Sequence, residues 1–218
     1  MGEREAKAVV VEREPRVRAE DEPRFCEIYE ESFPRWERDE TADVVASIAD
    51  GTRQCFVARV DGGLSGLAVV FVLRGPSVAF LEYLAVAEEQ RNAGVGGALL
   101  DYLLGAVALG GIRGIVFEVE RPEDAVGAER VLRERRIAFY RRHGASHVDG
   151  ATSYRAPNLE HAGVTEPYSL MWIPARREDS AQLTGGLLRG TVEAILTESY
   201  ELGRGDPLVL EVLDGLGC

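Results

Sequence analysis

Apolar runs separated by turn residues predict the strands of a sheet. Asp61–Gly62–Gly63 is a strong hairpin signal, because such a turn needs residues that tolerate positive φ. It joins two predicted strands within residues 53–75. The other predicted strands cover residues 7–12, 77–86 and 114–120, followed by a closing pair within 145–154 and 166–174.

Apolar residues at helical spacing predict the helices that alternate with these strands. The first helix places Phe25, Ile28, Tyr29 and Phe33 on one face and ends before Pro34. The other predicted helices cover residues 40–49, 95–109, 131–144 and 179–202. The order is two helices, three strands, a helix, a strand, a helix and two strands, which predicts a mixed α/β sheet rather than a regular doubly wound one.

Length and composition favour one folded domain with an added terminal element. The chain has 218 residues, 45% of them apolar, which is enough for a sizeable core. We expect a domain over residues 1–178 and a C-terminal helical extension over 179–218. No run approaches the roughly 18 apolar residues of a membrane span, and the start lacks the pattern of a signal peptide. We therefore expect a cytoplasmic protein without a membrane partner.

Charge and the metal-binding residue types narrow the function further. The net charge of −12 argues against nucleic acid as a partner, because a phosphate-backbone binder needs a basic face. The same charge would attract cationic amines, although many proteins are acidic only for solubility. The three cysteines show no CxxC pairing, and His143, His147 and His161 have no carboxylate or cysteine at ligand spacing. We expect neither a disulfide framework nor a metal site.

A glycine-rich segment stands where the helix over 95–109 should begin. It reads Gln90-Arg91-Asn92-Ala93-Gly94-Val95-Gly96-Gly97. A helix start without side chains exposes unpaired backbone N–H groups at the positive end of the helix dipole, which suits an anion, and Arg91 can add charge-assisted hydrogen bonds. The alternative is a tight strand-to-helix turn in which glycine serves geometry alone. A dinucleotide-binding fingerprint is excluded by Leu99, and the Gly-Lys-Ser/Thr of a P-loop is absent.

In this context the sequence resembles the GNAT superfamily of acyl-CoA-dependent N-acetyltransferases. Their acyl-CoA signature is Arg/Gln-x-x-Gly-x-Gly/Ala between a strand and a helix. The resemblance spans roughly residues 20–175 and includes the element order and the later "AFYRRHGA", residues 138–145. It implies a mostly antiparallel central sheet of six to seven strands flanked by helices, to which this chain adds a C-terminal helix.

The resemblance also implies where acetyl-CoA, the expected co-substrate, would bind. Backbone amides around 91–97 would hold the pyrophosphate. The main chain of residues 84–86 would pair with the pantetheine arm like an added strand, so this strand should separate from its neighbour. The implied CoA-binding residues are Leu84, Ala85, Val86, Arg91, Asn92, Ala93, Gly94, Val95, Gly96, Gly97 and Tyr140.

Acetyl transfer to an amine requires a base, because a free alkyl ammonium has a pKa near 10 and must lose a proton. Glu82 is the leading candidate, since alternation along the strand puts it on the same face as Val86. Glu118 shares a face of the next strand with Glu120, and either could act as base or bind a cationic acceptor. The alternative for all three is a solvated carboxylate on a sheet.

The departing CoA thiolate, with a free thiol pKa near 8.5, would be helped by a proton donor. Tyr140 is the candidate acid, because it stands where similar acetyltransferases place a tyrosine that reaches the sulfur. Its alternative is a core tyrosine packed beside Phe139. A main-chain N–H near Val86 would polarise the acetyl carbonyl. With no Ser or Cys arranged with His as a nucleophile, direct attack of the amine on the thioester is expected.

The sequence thus predicts an acyl-CoA-dependent N-acetyltransferase acting on a primary amine in a small molecule or peptide. Two alternatives stay open: an acyl-CoA-binding regulatory protein without turnover, and a scaffold with a glycine turn. Acceptor pockets of this family are built by segments that correspond here to about 25–50 and 156–168. These segments contain Trp36, Glu37, Asp39, Glu160 and Glu166. The helix over 179–202 could cover the sheet, edge the pocket or build a homodimer.

Overall fold

The protein is described from a computed structural model, which covers residues 8–176 and 182–217. Eight strands in this part of the chain form the sheet. They are β1 (Val9–Glu14), β2 (Arg53–Val60), β3 (Gly63–Leu73), β4 (Val78–Val86), β5 (Gly114–Glu120), β6 (Ser146–His147), β7 (Arg155–Pro157) and β8 (Thr165–Pro174). Their order is β1-β2-β3-β4-β5-β8-β6, and β7 pairs with β8.

The helices are α1 (Glu22–Ser32), α2 (Thr41–Ala49), α3 (Val95–Leu109), α4 (Gly127–Arg142), α5 (Gly185–Ala194) and α6 (Pro207–Asp214). A π turn, Ile195–Ser199, continues α5, and short 3₁₀ turns cover Arg35–Glu37, Glu88–Gln90 and Pro122–Asp124. Both α3 and β5 have the bounds expected from the sequence.

The predicted fold class is confirmed: a mixed sheet, mostly antiparallel, flanked by helices. β1 pairs antiparallel with β2, and β8 pairs antiparallel with β5, β6 and β7. The β4–β5 pairing is parallel and has only two residue pairs, Ala79 with Ile115 and Phe80 with Val116. The sheet has eight strands rather than six to seven, because a two-residue β6 and a separate β7 replace the single long strand expected before β8.

Two helices begin or end elsewhere than expected. α4 starts at Gly127, not at residue 131, because its first turns are polar and carry ion pairs four residues apart, which apolar spacing does not reveal. The helix expected over 179–202 is α5 followed by the π turn. The amide of Tyr200 donates to the carbonyl of Ile195, and Glu201 then takes a positive φ of 55° that ends the helix. The first expected residues, 179–181, lie outside the described residues.

The chain folds into two compact units. Among the described residues, the first comprises residues 8–70 together with Tyr83–Leu103, and the second comprises Phe71–Glu82 and the residues from Leu104 onward. In the first unit, buried residues of α1 and α2 pack on buried residues of β2, β3 and β4. This core contains Phe25, Ile28, Tyr29, Val44, Ile48, Cys55, Val57, Leu67, Val69, Tyr83 and Ala85.

The core of the second unit joins the sheet to the C-terminal helices. Sheet residues Phe80, Val116 and Trp172 share one cluster with residues of α5, the π turn and α6. From the C-terminal elements this cluster contains Leu188, Val192, Ala194, Ile195, Leu196, Val209, Val212 and Leu213. The expected boundary between residues 178 and 179 lies outside the described residues, so the division into a domain and an extension stays a prediction.

Among the described residues, no helix combines the length and apolar composition needed to cross a bilayer. The cytoplasmic location stays a prediction.

A buried arginine ties the edge strand β1 and its neighbour β2 to the loop before α1. Arg59 on β2 contacts Glu12 at 3.0 Å and Glu14 at 2.6 Å on β1, and Asp21 at 2.6 Å. Only 11% of the Arg59 side chain and 4% of Glu14 are exposed. The hydrogen bond from Arg59 is the main cause that lowers the pKa of both Glu12 and Asp21 below their ordinary values of 4.5 and 3.8.

We predict that Arg59→Met lowers the free energy of unfolding by about 3 kcal/mol at pH 7, because it removes the shared partner of three carboxylates, one of them buried. Carboxyls with lowered pKa stabilise the fold above their unfolded pKa and lose that effect as pH falls through the folded pKa. The difference between variant and wild type should therefore shrink as pH falls below 4.5 and then 3.8. Urea unfolding at several pH values measures it.

Arg130→Met is the matched control, because Arg130 pairs with Glu134 at an exposed position, with side chains 56% and 51% exposed. It should change the unfolding free energy by no more than about 0.5 kcal/mol. A pH-independent difference for Arg59→Met would contradict the electrostatic explanation.

Candidate active site

The first turn of α3 presents main-chain N–H groups without intrahelical acceptors. The helix begins at Val95, and the amide of Ala98 donates to the carbonyl of Gly94 at 3.0 Å. The amides of Val95, Gly96 and Gly97 precede that bond, as do the first N–H groups of any helix. The neighbouring residues 91–94 are exposed, so this helix end faces solvent.

Backbone conformation explains the residue types just before α3. Asn92 and Gly94 adopt positive φ values of 65° and 86°. This left-handed region favours glycine and tolerates asparagine better than most residues. A Cβ at Gly94 would meet no atom within 4 Å, so the glycine leaves open space beside the helix end. A diphosphate fits such an end, because it needs N–H donors, positive potential and close approach to the backbone.

Arg91 connects this helix end with the end of β4. Its Nε donates to the carbonyl of Val86 at 3.4 Å, and its side chain is exposed. Along β4, Leu84 and Val86 are half-buried and Ala85 is buried. Residues 84–86 lie beyond the two residue pairs that join β4 to β5. The sequence-predicted residues 84–86 and 91–97 are therefore brought together in the first unit.

Gly66 on β3 sets how closely α3 approaches the sheet, and sequence analysis did not identify it. A Cβ there would lie 3.0 Å from the carbonyl oxygen of Ala85, 3.0 Å from Val95 Cγ1 and 3.1 Å from Leu99 Cδ1. These contacts are shorter than ordinary van der Waals distances. The sequence did contain a signal for this role, because a glycine inside a strand pattern often marks a site where another chain segment approaches closely.

The two candidate carboxylates lie in the second unit and accept hydrogen bonds from hydroxyl groups. Ser199 Oγ donates to Glu82 Oε1 at 2.6 Å. Tyr200 OH donates to Glu118 Oε2 at 2.8 Å, and Tyr154 OH donates to Glu118 Oε1. Both carboxylates are half-buried. They are therefore contacted by hydroxyl donors rather than being the plain surface acids of the alternative interpretation.

The two tyrosines on Glu118 keep their protons over the physiological range. Burial, followed by the negative charge of Glu118, raises the pKa of Tyr154 and of Tyr200 well above the ordinary value of 10.0. Each phenol is consequently a lasting donor to Glu118.

Glu120 does not share the surroundings of Glu118, although alternation along β5 placed the two on one face. Its carboxylate pairs with two arginines of α4, Arg133 at 2.9 Å and Arg136 at 2.6 Å. Glu120 is the last residue of β5, within reach of the long side chains of α4. These ion pairs favour a structural role that fastens α4 to β5.

Tyr140 lies on α4 with its ring packed on two aromatic neighbours. Its centroid is 4.3 Å from that of Phe117 and 5.1 Å from that of Phe139, and only 8% of the residue is exposed. Burial raises the pKa of Tyr140 to about 12. The ring is a core side chain, as the alternative interpretation expected, and the hydroxyl stays protonated at neutral pH, whereas the role as catalytic acid stays a prediction.

Two acidic residues of the expected acceptor segments already have partners within the protein. Asp39 pairs with Arg53 at 2.6 Å, and Glu166 accepts a hydrogen bond from Asn158 Nδ2 at 2.8 Å. Trp36 is 43% exposed. Sequence analysis missed Tyr154, Ser199 and Tyr200 as site residues, and position 200 was interpreted only as part of an apolar helical stripe.

The model of the acetyltransferase (GNAT) family matches residues 22–145, more than half of the chain. The chain belongs to the GNAT acetyltransferase family. The resemblance inferred from the sequence is thereby confirmed. GNAT enzymes use acetyl-CoA as co-substrate and act on amines, and membership supports acyltransferase activity. No curated protein sequence matches the chain significantly.

Solved structures agree with a GNAT fold. A GNAT-family protein from Bacteroides thetaiotaomicron has a TM-score of 0.67 and 23% identity, over 88% of this chain and 99% of that one. The ribosomal-protein-S18-alanine N-acetyltransferase from Escherichia coli gives 0.54 and 18%, over 82% and 97%. A diaminobutyrate acetyltransferase from Paenibacillus lautus, solved with L-2,4-diaminobutyric acid and coenzyme A, gives 0.52 and 21%, over 78% and 96%. At these identities the likeness concerns the fold.

We predict that Gly66→Ala destabilises the protein by about 1–3 kcal/mol, because the added methyl forces β4 or the first turn of α3 to move. Since that turn is the expected CoA site, affinity for CoA should fall as well. Urea unfolding and calorimetric titration with CoA measure the two effects.

Gly75→Ala is the matched control, because a Cβ at Gly75 would meet no atom within 4 Å. It should leave both quantities close to wild type. Wild-type CoA affinity in a folded Gly66→Ala protein would contradict the proposed link between this glycine and the helix end.

Proposed function

We propose that the protein is an N-acetyltransferase that moves the acetyl group of acetyl-CoA to a primary amine by direct attack. The observation that carries this proposal is the open first turn of α3, joined through Arg91 to the main chain of Val86 in a chain of the GNAT family.

Acetyl-CoA supplies a thioester, whose carbonyl carbon accepts a nucleophile and whose thiolate can leave. The amides of residues 95–97, with the main chain of residues 91–94 and the Arg91 guanidinium, would hold its pyrophosphate. The main chain of Leu84, Ala85 and Val86 would bind the pantetheine arm as an added strand. A main-chain N–H near Val86 would donate to the acetyl oxygen as negative charge develops there.

Glu82 is the proposed base. It lies two residues before Leu84 on the same strand, so its side chain leaves the same face of β4 as those of Leu84 and Val86. The bond from Ser199 holds one carboxylate oxygen in place. Glu82 would take a proton from the ammonium, directly or through water, and the neutral nitrogen would attack the carbonyl carbon. The C–N bond forms, the C–S bond breaks, and CoA leaves as a thiolate. The acylated nitrogen releases its second proton to solvent, which balances the proton that the thiolate takes up.

Tyr140 is the proposed proton donor to that thiolate. With a pKa of about 12 the phenol is protonated throughout the neutral range. Transfer to a thiolate whose thiol has a pKa near 8.5 in water would be unfavourable, but an apolar environment also raises the thiol pKa. A hydrogen bond from the phenol to the developing thiolate lowers the barrier in either case.

The acceptor is not decided by the fold. The similar structures named above acetylate substrates as different as a ribosomal protein and diaminobutyrate, at identities that establish the fold alone. Homodimer formation and the absence of nucleic-acid and membrane partners stay predictions.

We predict that the double variant Arg91→Ala/Gly94→Ala weakens CoA binding by about 100-fold or more, because a charge-assisted donor is lost and alanine is strained at a φ of 86°. Calorimetric titration with CoA measures the affinity. Arg204→Ala, which removes an arginine 81% exposed and paired with Glu193, is the charge-matched control. Unchanged CoA affinity in the double variant would refute the site.

We predict that Tyr140→Phe lowers kcat at least about tenfold while changing CoA affinity much less, because a proton donor contributes to the transition state. The assay is release of CoA thiol with acetyl-CoA and a panel of primary amines. Because the pKa of Tyr140 is about 12, wild-type kcat should show no loss attributable to this group below about pH 10. A wild-type rate in Tyr140→Phe would remove the assignment.

CoA binding without thiol release toward any amine would instead identify a binding protein of the same fold. That outcome would leave the CoA site standing and overturn the catalytic proposal.

A further inference from the structure

A cavity of about 670 Å³ lies in the second unit, between α4 and the edge of the sheet. It exists because β6 ends after two residues. The amide of Val148 still donates to the carbonyl of Leu170 at 2.9 Å, and the chain returns to β8 where the amide of Tyr168 donates to the carbonyl of Tyr154 at 3.4 Å. Between these two bonds the chain leaves the strand edge as a loop over residues 149–153, and this detour leaves the recess beside α4.

The floor of this cavity is apolar and buried. Its aliphatic side chains come from α4, from the residue after β6, from the loop and from β8. They are Ile137, Val148, Ala151 and Leu170, each at most 8% exposed. Ala138 of α4 also lines the cavity but is exposed, so it lies at the opening. Small-molecule sites are typically recesses of about 300–1,000 Å³ with a mainly apolar lining and a few polar groups that orient the ligand.

Two exposed carboxylates line the same cavity from different segments of the chain. Glu123 belongs to the 3₁₀ turn after β5, and Asp149 to the loop after β6. In the part of the chain that the structure describes, neither carboxylate has an ion-pair partner within 4 Å. Glu134, the third acid of the lining, lies 3.0 Å from Arg130. Glu123 and Asp149 therefore supply negative charge that no ion pair of the described chain offsets.

Arg141 and His147 complete the charged and titratable part of the lining. Burial, followed by the charge of Arg141, lowers the pKa of His147 below its ordinary value of 6.5, although Glu123 and Asp149 act in the opposite direction. The imidazole is consequently neutral at pH 7 and adds no positive charge. Arg141 can offset only one of the two carboxylates, so the mouth of the cavity keeps a net negative charge.

An apolar recess with excess negative charge at its mouth suits one class of ligand. An apolar body displaces water from the buried aliphatic side chains, and a positively charged nitrogen donates charge-assisted hydrogen bonds to the carboxylates. We propose that this cavity is a binding site for a small amphipathic amine, with its apolar body on the floor and its ammonium group at Glu123 and Asp149. The described residues that line the cavity include none of those proposed for acetyl transfer, so the site does not depend on that function.

The test uses N,N-dimethylhexylamine, which is a cation at pH 7 and carries a six-carbon chain. As a tertiary amine it forms no stable amide, so acetyl transfer does not consume it. It is titrated into wild type by calorimetry at about 150 mM salt, where charges more than about 8 Å away are largely screened. Its affinity should exceed that of trimethylamine, which lacks the chain, and of heptanoate, which has the opposite charge, by about tenfold or more.

Two variants test the two halves of the site. Glu123→Gln/Asp149→Asn should weaken binding of dimethylhexylamine about tenfold or more, because both charged acceptors are lost. Ala138→Trp should abolish binding, since the indole would fill the opening from an exposed helix position. Asp124→Asn is the matched control, because Asp124 is exposed, belongs to the same turn as Glu123 and is not among the described residues that line the cavity. It should bind the amine as wild type does, and thermal unfolding shows that each variant is folded.

Three results would overturn the proposal. They are equal affinity of wild type for the three probes, no binding of dimethylhexylamine by folded wild type, and binding that neither the double variant nor Ala138→Trp changes. A loss in Asp124→Asn as large as that in the double variant would also overturn it, because it would reveal a general charge effect. Titration with CoA is a separate measurement: absence of CoA binding would count against the proposed function and leave this site standing.

Discussion

The unpaired amides at the start of α3 are the feature on which the proposed chemistry depends. They offer an anion several N–H donors and the positive end of a helix dipole without any specialised side chain. What makes the site specific is position: Gly66 lets the first turn of α3 lie directly against β4, and Arg91 contacts the carbonyl of Val86. A diphosphate bound at such an end would leave the attached arm beside the end of the strand. Glycine therefore permits a close approach at two places. Gly66 on β3 lets α3 approach the sheet, and Gly94 leaves room for a ligand beside the helix start.

The acids of the second unit show how partners decide what a carboxylate does. Glu118 and Glu120 are two residues apart on β5, yet one accepts from two phenols and the other pairs with two arginines. Arginine neutralises the negative charge of Glu120 and fastens a helix. The two phenols instead donate hydrogen bonds to Glu118 and so stabilise its charged form. Glu82, with a serine hydroxyl on one oxygen, has a partner that can both donate and accept, which suits a group that exchanges protons.

Local patterns predicted the fold where one face of an element is apolar and its ends carry turn residues. α3 and β5 are such elements, and their bounds were predictable. The start of α4 was not predictable from apolar spacing, because ion pairs of Glu129, Arg130 and Arg133 on a polar surface stabilise it. The open helix start proposed to bind CoA was recognisable from Arg91, Gly94 and Gly96, since a helix start is a local feature. The contacts of Tyr154 and Tyr200 with Glu118 were not predictable, because they join residues that are 36 and 82 positions apart in the sequence. Tyr200 also stands at helical spacing among apolar residues, which is typical of a packed side chain.

The limits of the family match separate what GNAT proteins share from what this chain adds. Residues 22–145 include the strand end, the glycine segment, both candidate carboxylates and Tyr140. Tyr154, Ser199 and Tyr200 all lie beyond residue 145, and two of them belong to the C-terminal elements. Acetyl-CoA is the same molecule for every member of the family, whereas acceptors differ. Groups that handle the thioester should therefore lie inside the shared region, and groups that select the acceptor should lie where chains differ. The hydroxyls of Ser199 and Tyr200 that contact Glu82 and Glu118 lie outside the shared region, in C-terminal elements that also pack into the core of the second unit.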